Sequence, residues 1–287
     1  MKAQDFVLEV GVEPLPADCV RPALDGLAEA LGAMLSRTRL RCSSVRVFGT
    51  MRRLVAVLDE TAARSDPASE AEKGEPALAL LGRELPSVIV GLPFAKTMRW
   101  EESGCAFGRP IRSLLALHGP RVVPFSLAGV SSGRVLYLPP GSGRKPVRVA
   151  DAGRYLSAVR NLAVLVDPEE RRTLLLKRMT ACAKSGGGAL EADEALVERT
   201  VFMTEHPVPV VGSFRKEFLE LPPELVKDVL KRQLCCFPIA AEGGLAPAFV
   251  AVRDGVSEGQ REVREGFEAA LEARLSDAAF ALSRGKT

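Results

Sequence analysis

Two places in this chain gather side chains that suit phosphate. Arg52 and Arg53 are adjacent, with Arg37, Arg39, Arg41 and Arg46 close by in sequence, and guanidinium groups make bidentate hydrogen bonds to phosphate oxygens. A second set, Lys227, Lys231 and Arg232, offers positive charge to RNA or to a partner protein. Both sets are equally compatible with a solvated surface beside a turn or along a helix. A third group has the types for covalent chemistry: Cys235 and Cys236, followed by Phe237, with His206 as the base a thiol needs to ionise. Vicinal cysteines at the start of an apolar strand are more simply small core residues. His118, ahead of Gly119 and Pro120, suits a turn better than a ligand set. Trp100, the sole tryptophan, reads as a packing anchor with its N–H bonded.

Other chemistries are less well served. The glycines at 141–143 and 186–188 lack the strand-turn-helix setting and the following Lys-Ser or Lys-Thr of a phosphate loop, so no nucleotide is assigned to them. Six cysteines without a C-x-x-C pair, and two histidines in all, give no metal site. The net charge of +3 and isoelectric point near 8.6 permit RNA binding without requiring it. With 47% hydrophobic and 26% charged residues the composition is globular. Neither a basic-then-apolar leader nor an apolar run of about 18 residues is present, which predicts a cytosolic chain with reduced thiols.

Periodicity supplies the elements that must hold these residues. Phe6 to Val12 reads as a strand. A helix over about Asp18 to Arg37, with Asp18 as N-cap, puts Leu24, Leu27, Leu31, Met34 and Leu35 on one side. Ser44–Phe48 and Leu54–Leu58 read as strands around a turn carrying Arg52 and Arg53. Thr61 to Pro76 has no apolar period and is a surface loop. The Pro/Gly-dense stretch from Pro139 to Pro146 is the best boundary between two domains, 1–142 and 143–287. The second domain opens with a helix near Asp151–Arg160 and a strand at Ala163–Val166. A helix introduced by Asp167-Pro168-Glu169-Glu170 then runs to about Lys184, where the three glycines stop it. A strand over Val208–Val211 precedes a loop with Phe214 and Phe218, and Pro222-Pro223 opens the helix bearing the two lysines. A hairpin from Cys236–Ala241 to Ala248–Val252 turns through Glu242-Gly243-Gly244. The last helix, about Glu258 to Leu282, has Val263, Phe267, Leu271, Leu275, Ala278 and Leu282 on its inner face. The fold class is α+β: two mixed helix-and-sheet domains with a long carboxy-terminal helix.

The passage from His206 to Ile239, HPVPVVGSFRKEFLELPPELVKDVLKRQLCCFPI, resembles the amino-terminal half of the β subunit of bacterial glycyl-tRNA synthetase, the type built from separate α and β chains. Six further segments are similar to that family in the same order: Glu9–Pro16, Phe48–Leu54, Leu92–Trp100, Phe107–Arg112, Val122–Phe125, and Ala251–Gly255 followed by Ala273–Ala278. The family has a longer, partly helical excursion after the Thr61–Pro76 loop, so an internal segment is expected to be missing. It also continues into an HD-type domain and an anticodon-binding domain that have no counterpart in these residues. At the family's Arg-Asp-His-Gln-Lys-Tyr-Phe-like string stand Lys231, Arg232, Gln233, Leu234, Cys235, Cys236 and Phe237. The histidine of a Gly-His-Arg-Phe-like element is absent from Gly133–Tyr137, and Phe267 replaces an expected Asn.

The resemblance implies an enzyme that joins glycine to its tRNA through glycyl-adenylate, with ATP and Mg²⁺ bound by the other subunit and no cofactor bound by this chain. Adenylate formation needs arginines on the α-phosphate and acidic metal ligands on one sheet, and no such set is visible, so no catalytic residue is assigned. The expected role is a non-catalytic β-subunit portion, or a β-like paralogue, that packs on the α subunit and helps to hold tRNA. The RNA- or partner-binding residues assigned to that role are Arg52, Arg53, Lys227, Lys231 and Arg232. The alternative is a stand-alone RNA-binding or protein-interaction module that no longer takes part in aminoacylation. A small hydrolase using Cys235 is a third reading.

Overall fold

An apolar run around Leu8, interrupted only by Glu9, makes a strand that is buried on both faces rather than half-exposed, and this strand, β1 (Gln4–Val12), is the spine of the first of two compact units. The computed structural model describes residues 2–67, 73–139, 145–255 and 258–284. Its units are Met1–Pro168 and Glu169–Thr287, both of mixed α+β type.

In the first unit, α1 (Ala17–Thr38) follows β1 and leads to the hairpin of β2 (Ser44–Thr50) and β3 (Arg53–Thr61). Then come α2 (Ala77–Val90), a small hairpin of β4 (Met98–Arg99) and β5 (Ala106–Phe107), the long strand β6 (Ile111–His118), the short strands β7 (Arg121–Val122), β8 (Ser126–Leu127) and β9 (Val130–Gly133), and α3 (Tyr155–Arg160). The main sheet has the order β2-β3-β1-β6-β9-β8, with β7 beside β6. Side chains alternate across it. Helix α1 packs on the β2–β3 hairpin, its buried stripe being Val20, Leu24, Leu27, Leu31 and Met34. A distinct core cluster joins Val7, Val55, Val57, Leu115 and Leu117 of the strands to Leu136, Val149, Tyr155, Val159 and Val164.

That cluster explains where the units divide. Residues on both sides of the expected 142/143 boundary pair with one another, through Leu136 N–H to the Val147 carbonyl at 2.9 Å and Val149 N–H to the Arg134 carbonyl at 2.8 Å. The segment through Val166 therefore completes the first core. Residues 140–144, where the boundary was placed, lie outside the described residues.

Three local expectations change for physical reasons. Pro16, not Asp18, occupies the N-cap of α1, and Asp18 lies in the first turn, where a carboxylate favours the helix dipole. Helix α2 occupies a stretch expected to pass straight to Leu92; Pro86 inside it hides a regular stripe of Leu80, Leu81, Leu85, Val88 and Ile89. Ala163–Val166 is apolar and packed but is no strand. Ala163 takes φ 56° on leaving α3, and a backbone bond from Gly49 N–H to the Val166 carbonyl ties the segment to β2. Around the 61–76 loop the chain leaves and returns at one point: Ser65 N–H donates to the Glu75 carbonyl and Glu75 N–H to Ser65 Oγ, both at 2.9 Å. Gly74 lies so close to the Ser65 carbonyl that no side chain fits there.

The second unit comprises α4 (Pro168–Ser185), β10 (Ala189–Leu190), α5 (Glu194–Met203), β11 (Pro207–Ser213), α6 (Pro223–Asp228), β12 (Phe237–Ala241), β13 (Gly244–Asp254) and α7 (Gln260–Arg284). Gly187, at φ 87°, ends α4 as its composition predicts. The sheet order is β10-β12-β13-β11, and Pro207 and Pro209 fall on an edge strand, where a missing N–H costs no ladder bond. Helix α5 is unannounced by a clean apolar period; Asp193 caps it by accepting from Leu196 N–H at 3.1 Å. After α6 a π-helical turn over Val229–Gln233 leads to Cys235, at φ 52°. Leu271 and Leu275 of α7 are fully buried with Phe214, Phe218 and Phe249.

Candidate functional site

Arg53 does not face solvent. It starts β3 opposite Gly11 of β1, and it and Glu9 are completely buried. Glu9 Oε2 accepts from Arg53 Nη1 at 2.8 Å and from the Tyr155 hydroxyl at 2.6 Å, while Glu9 Oε1 accepts from Tyr137 N–H at 3.0 Å. Arg53 Nη2 donates to the Tyr137 carbonyl at 3.2 Å. Burial and the Glu9 charge push the Tyr155 phenol well above its ordinary range, so it stays a donor. Every oxygen of this buried carboxylate is satisfied, the condition under which a buried pair is tolerated. The network ties β1, β3, residue 137 and α3 together; it is a structural clasp and presents no group to RNA.

The other arginines of the set scatter. Arg46 makes a bidentate contact with Asp59 at 2.7 and 2.8 Å, Arg37 donates to Glu84 at 2.7 Å, and Arg41 pairs with Asp66 at 2.9 Å. Arg52 is half-buried in the β2–β3 turn, where its N–H donates to Thr50 Oγ1 at 3.1 Å. The register pairs Ser44 with Asp59 at one end of the hairpin and Thr50 with Arg53 at the other, an intervening length of about 20 Å. Arg52 and the Arg37–Arg41 group therefore do not form one phosphate cradle.

Lys227 and Lys231 are four residues apart on one helical face, and both grip Glu191: Lys227 Nζ lies 3.0 Å from Oε2 and Lys231 Nζ 3.1 Å from Oε1. Lys231 also approaches Asp193, the α5 cap, at 3.7 Å. The hydrogen bond to Glu191 raises the Lys227 pKa. Arg232 pairs with Asp228 at 3.0 Å but leaves most of its side chain exposed. Of the three, Arg232 is the most available to a partner.

At Cys236 burial works against the thiol reading. Cys236 is fully buried, and burial pushes its thiol up to about 12, away from the thiolate a nucleophile requires. Cys235 packs half-buried against the β12–β13 core. His206 Nε2 lies 3.3 Å from Arg178 Nη1, and burial followed by the Arg178 charge hold its pKa below the ordinary value. His118 is buried at the β6–β7 turn with Nε2 3.2 Å from the Thr61 carbonyl, as a neutral turn residue. Among the described residues no group of three His, Cys, Asp or Glu is placed to hold a metal ion, and no helix is long and apolar enough to cross a membrane.

Trp100 follows β4, and its indole N–H donates to the Phe107 carbonyl at 2.9 Å, as the packing reading requires. Its surroundings add more. A cavity of about 150 Å³ is lined by Trp100, Phe107, Ile111 and Val130, with Glu101 and Arg112 as its charged members. The Arg109 guanidinium lies 6.0 Å from the Trp100 ring centre, and Arg109 Nε donates to the Pro14 carbonyl at 3.2 Å. Arg112 Nε donates to Glu13 at 2.8 Å. Lys96, just before this hairpin, and Arg99, in it, are exposed, and neither side chain has an ion-pair or hydrogen-bond partner among the described residues. No interaction role was assigned to this region from sequence, although basic residues interleaved with the only indole and with Phe94 and Phe107 were there to be read.

Comparison with known proteins places these features. The glycyl-tRNA synthetase beta subunit family model matches residues 6–77 and 67–284. The chain is 31% identical to the glycine–tRNA ligase beta subunit of Moorella thermoacetica over 333 positions, which cover 97% of this chain and 47% of that one. It is 32% identical to the beta subunit of Desulforamulus reducens over 329 positions (97% and 47%). With the chloroplastic/mitochondrial glycine–tRNA ligase 2 of Arabidopsis thaliana it shares 34% identity over 328 positions (96% and 31%). The chain thus spans about half the length of these bacterial relatives. The alignments are longer than its 287 residues, so the relatives contain residues with no counterpart here. The family match is split at residues 67–77, within and just after the surface loop where a missing segment was expected.

Proposed function

From the premise that the chain belongs to the glycyl-tRNA synthetase beta subunit family, we propose that it is a non-catalytic portion of an α/β-type glycine–tRNA ligase β subunit that packs on the α subunit and helps to hold tRNA for glycylation. The observation that carries this reading is the family match, which runs through both compact units from residue 6 to residue 284. The engagement of the titratable candidates supports it: Arg53 is locked to Glu9, and the Cys236 thiol is buried. ATP and Mg²⁺ then bind in the α subunit, and the chain works in the cytoplasm with its cysteines reduced. Sedimentation of the chain mixed with the α subunit of the same genome tests the proposal. A complex at micromolar concentration is expected, and independent migration overturns the reading.

A stand-alone interaction module descended from the β subunit is the second reading. It is favoured by the replacement of a polar string by Leu234, Cys235 and Cys236, which the fold uses as packing. An adjoining α-subunit gene with no other complete β gene supports the first reading; a second intact β gene supports the other.

A further inference from the structure

The cavity beside Trp100 is neither a packing defect nor part of the clasp around Glu9. An engineered apolar void stays dry; the lining here includes charged side chains, Glu101 held by Ser103 and Arg112 by Glu13, so an occupant meets rings and polar groups together. At about 150 Å³ it holds roughly five water volumes, the size of one heterocyclic base. Its walls pair an indole and a phenyl ring with Glu101 and Arg112. Glu101 Oε2 accepts from Ser103 N–H at 2.7 Å and Oε1 accepts from the Ser103 hydroxyl, which fixes the carboxylate.

Lys96, two residues before β4, and Arg99, in β4 and next in sequence to Trp100, are exposed, and their side chains have no partners among the described residues. Positive side chains without intramolecular ion pairs, next to an aromatic floor, are what a single-stranded nucleic acid uses: bases stack on rings while the backbone follows the cations. Glu102, exposed in the same hairpin, keeps the local charge moderate, which argues for a few contacts rather than a long track.

We propose that this pocket binds an unpaired nucleotide of an RNA chain, with the base against Trp100 and Phe107 and the flanking phosphates on Lys96 and Arg99. It rests on the tRNA-holding role proposed above and gives that role a place. The Lys227–Lys231 pair is not such a place, because Glu191, with Glu224 and Asp193 nearby, already balances its charge.

Trp100 is the only tryptophan in the chain, so its emission reports the site directly. The full chain is titrated with a tRNA-Gly transcript, with single-stranded oligo(A), and with an RNA duplex of equal length, while anisotropy of labelled tRNA records binding independently. Saturable quenching of Trp100 by tRNA and oligo(A), but not by the duplex, is expected. Lys96→Ala and Arg99→Ala each lower the slope of log affinity against log salt by about 0.7, and Lys96→Glu/Arg99→Glu weakens binding at least tenfold. Both residues are exposed, so these variants keep the fold. Trp100→Leu, if it folds, weakens oligo(A) about tenfold. Anisotropy that reports tRNA binding with unchanged Trp100 emission, and no effect of the double variant, overturns the pocket while leaving the tRNA role standing. Equal quenching by the duplex also overturns it. Absence of tRNA binding even with α subunit present removes both.

Discussion

The β2–β3 and β4–β5 hairpins both belong to the first unit, and both carry basic residues beside a turn, yet they handle that charge in opposite ways. In the first, Arg53 is interred with Glu9 and Arg46 clamps Asp59. In the second, Arg99 and, just ahead of the hairpin, Lys96 are exposed with no side-chain partner among the described residues, and Arg99 adjoins in sequence Trp100 of the cavity lining. Local density of arginine therefore measures how much charge the chain carries, while availability depends on carboxylates far away in sequence. Glu9 reaches Arg53 across 44 positions. A cation spent inside the fold stabilises it; one left outside can attract a polyanion.

Four variants break or sharpen this contrast. The largest effect belongs to Arg53→Ala, which strands a buried carboxylate and is expected to cost about 3–5 kcal/mol in urea unfolding, with tRNA affinity per folded molecule unchanged. Tyr155→Phe removes one charge-assisted bond to Glu9 and keeps the ring, for a loss of about 1.5–3 kcal/mol by the same measurement. Arg46→Ala, at a partly exposed pair, costs at most about 1 kcal/mol at neutral pH, and its effect depends on acidity. The hydrogen bond from Arg46 holds Asp59 below the ordinary carboxylate pKa. That contribution is therefore fully present above the unfolded value of about 3.9 and disappears as pH falls through the lower folded value. Unfolding midpoints measured from pH 7 down to pH 2 should converge for parent and variant at the acid end. Lys96→Ala is expected to leave stability within about 0.5 kcal/mol while changing the salt dependence of RNA binding, the reverse of the Arg53 outcome.

Most of the architecture was legible where one periodicity dominated: β1, α1, the β2–β3 hairpin, α4, the β12–β13 hairpin and α7 all follow from apolar spacing and turn residues. Elements were missed where another constraint masked the spacing. Pro86 obscured α2, and α5 buries Thr200 among its apolar residues, so it lacks a clean stripe. Ala163–Val166 looks like a strand because burial demands the same side chains, whether or not a ladder partner is present. The interaction residues were less legible for a related reason: pairing is tertiary. Nothing local distinguishes Lys227, tied to Glu191, from Lys96, tied to nothing described.

The mutual hydrogen bonds of Ser65 and Glu75 have a consequence for how such a chain can change length. Because the strand side and the α2 side of the excursion are pinned to each other, whatever joins them contributes only closure entropy, and each doubling of the connection costs about 0.6 kcal/mol. Chains of different length at this seam can thus share one sheet without repacking a single core residue. The same seam is a natural graft point, where a tag or a whole reporter domain can be spliced in without the rest of the molecule registering its size.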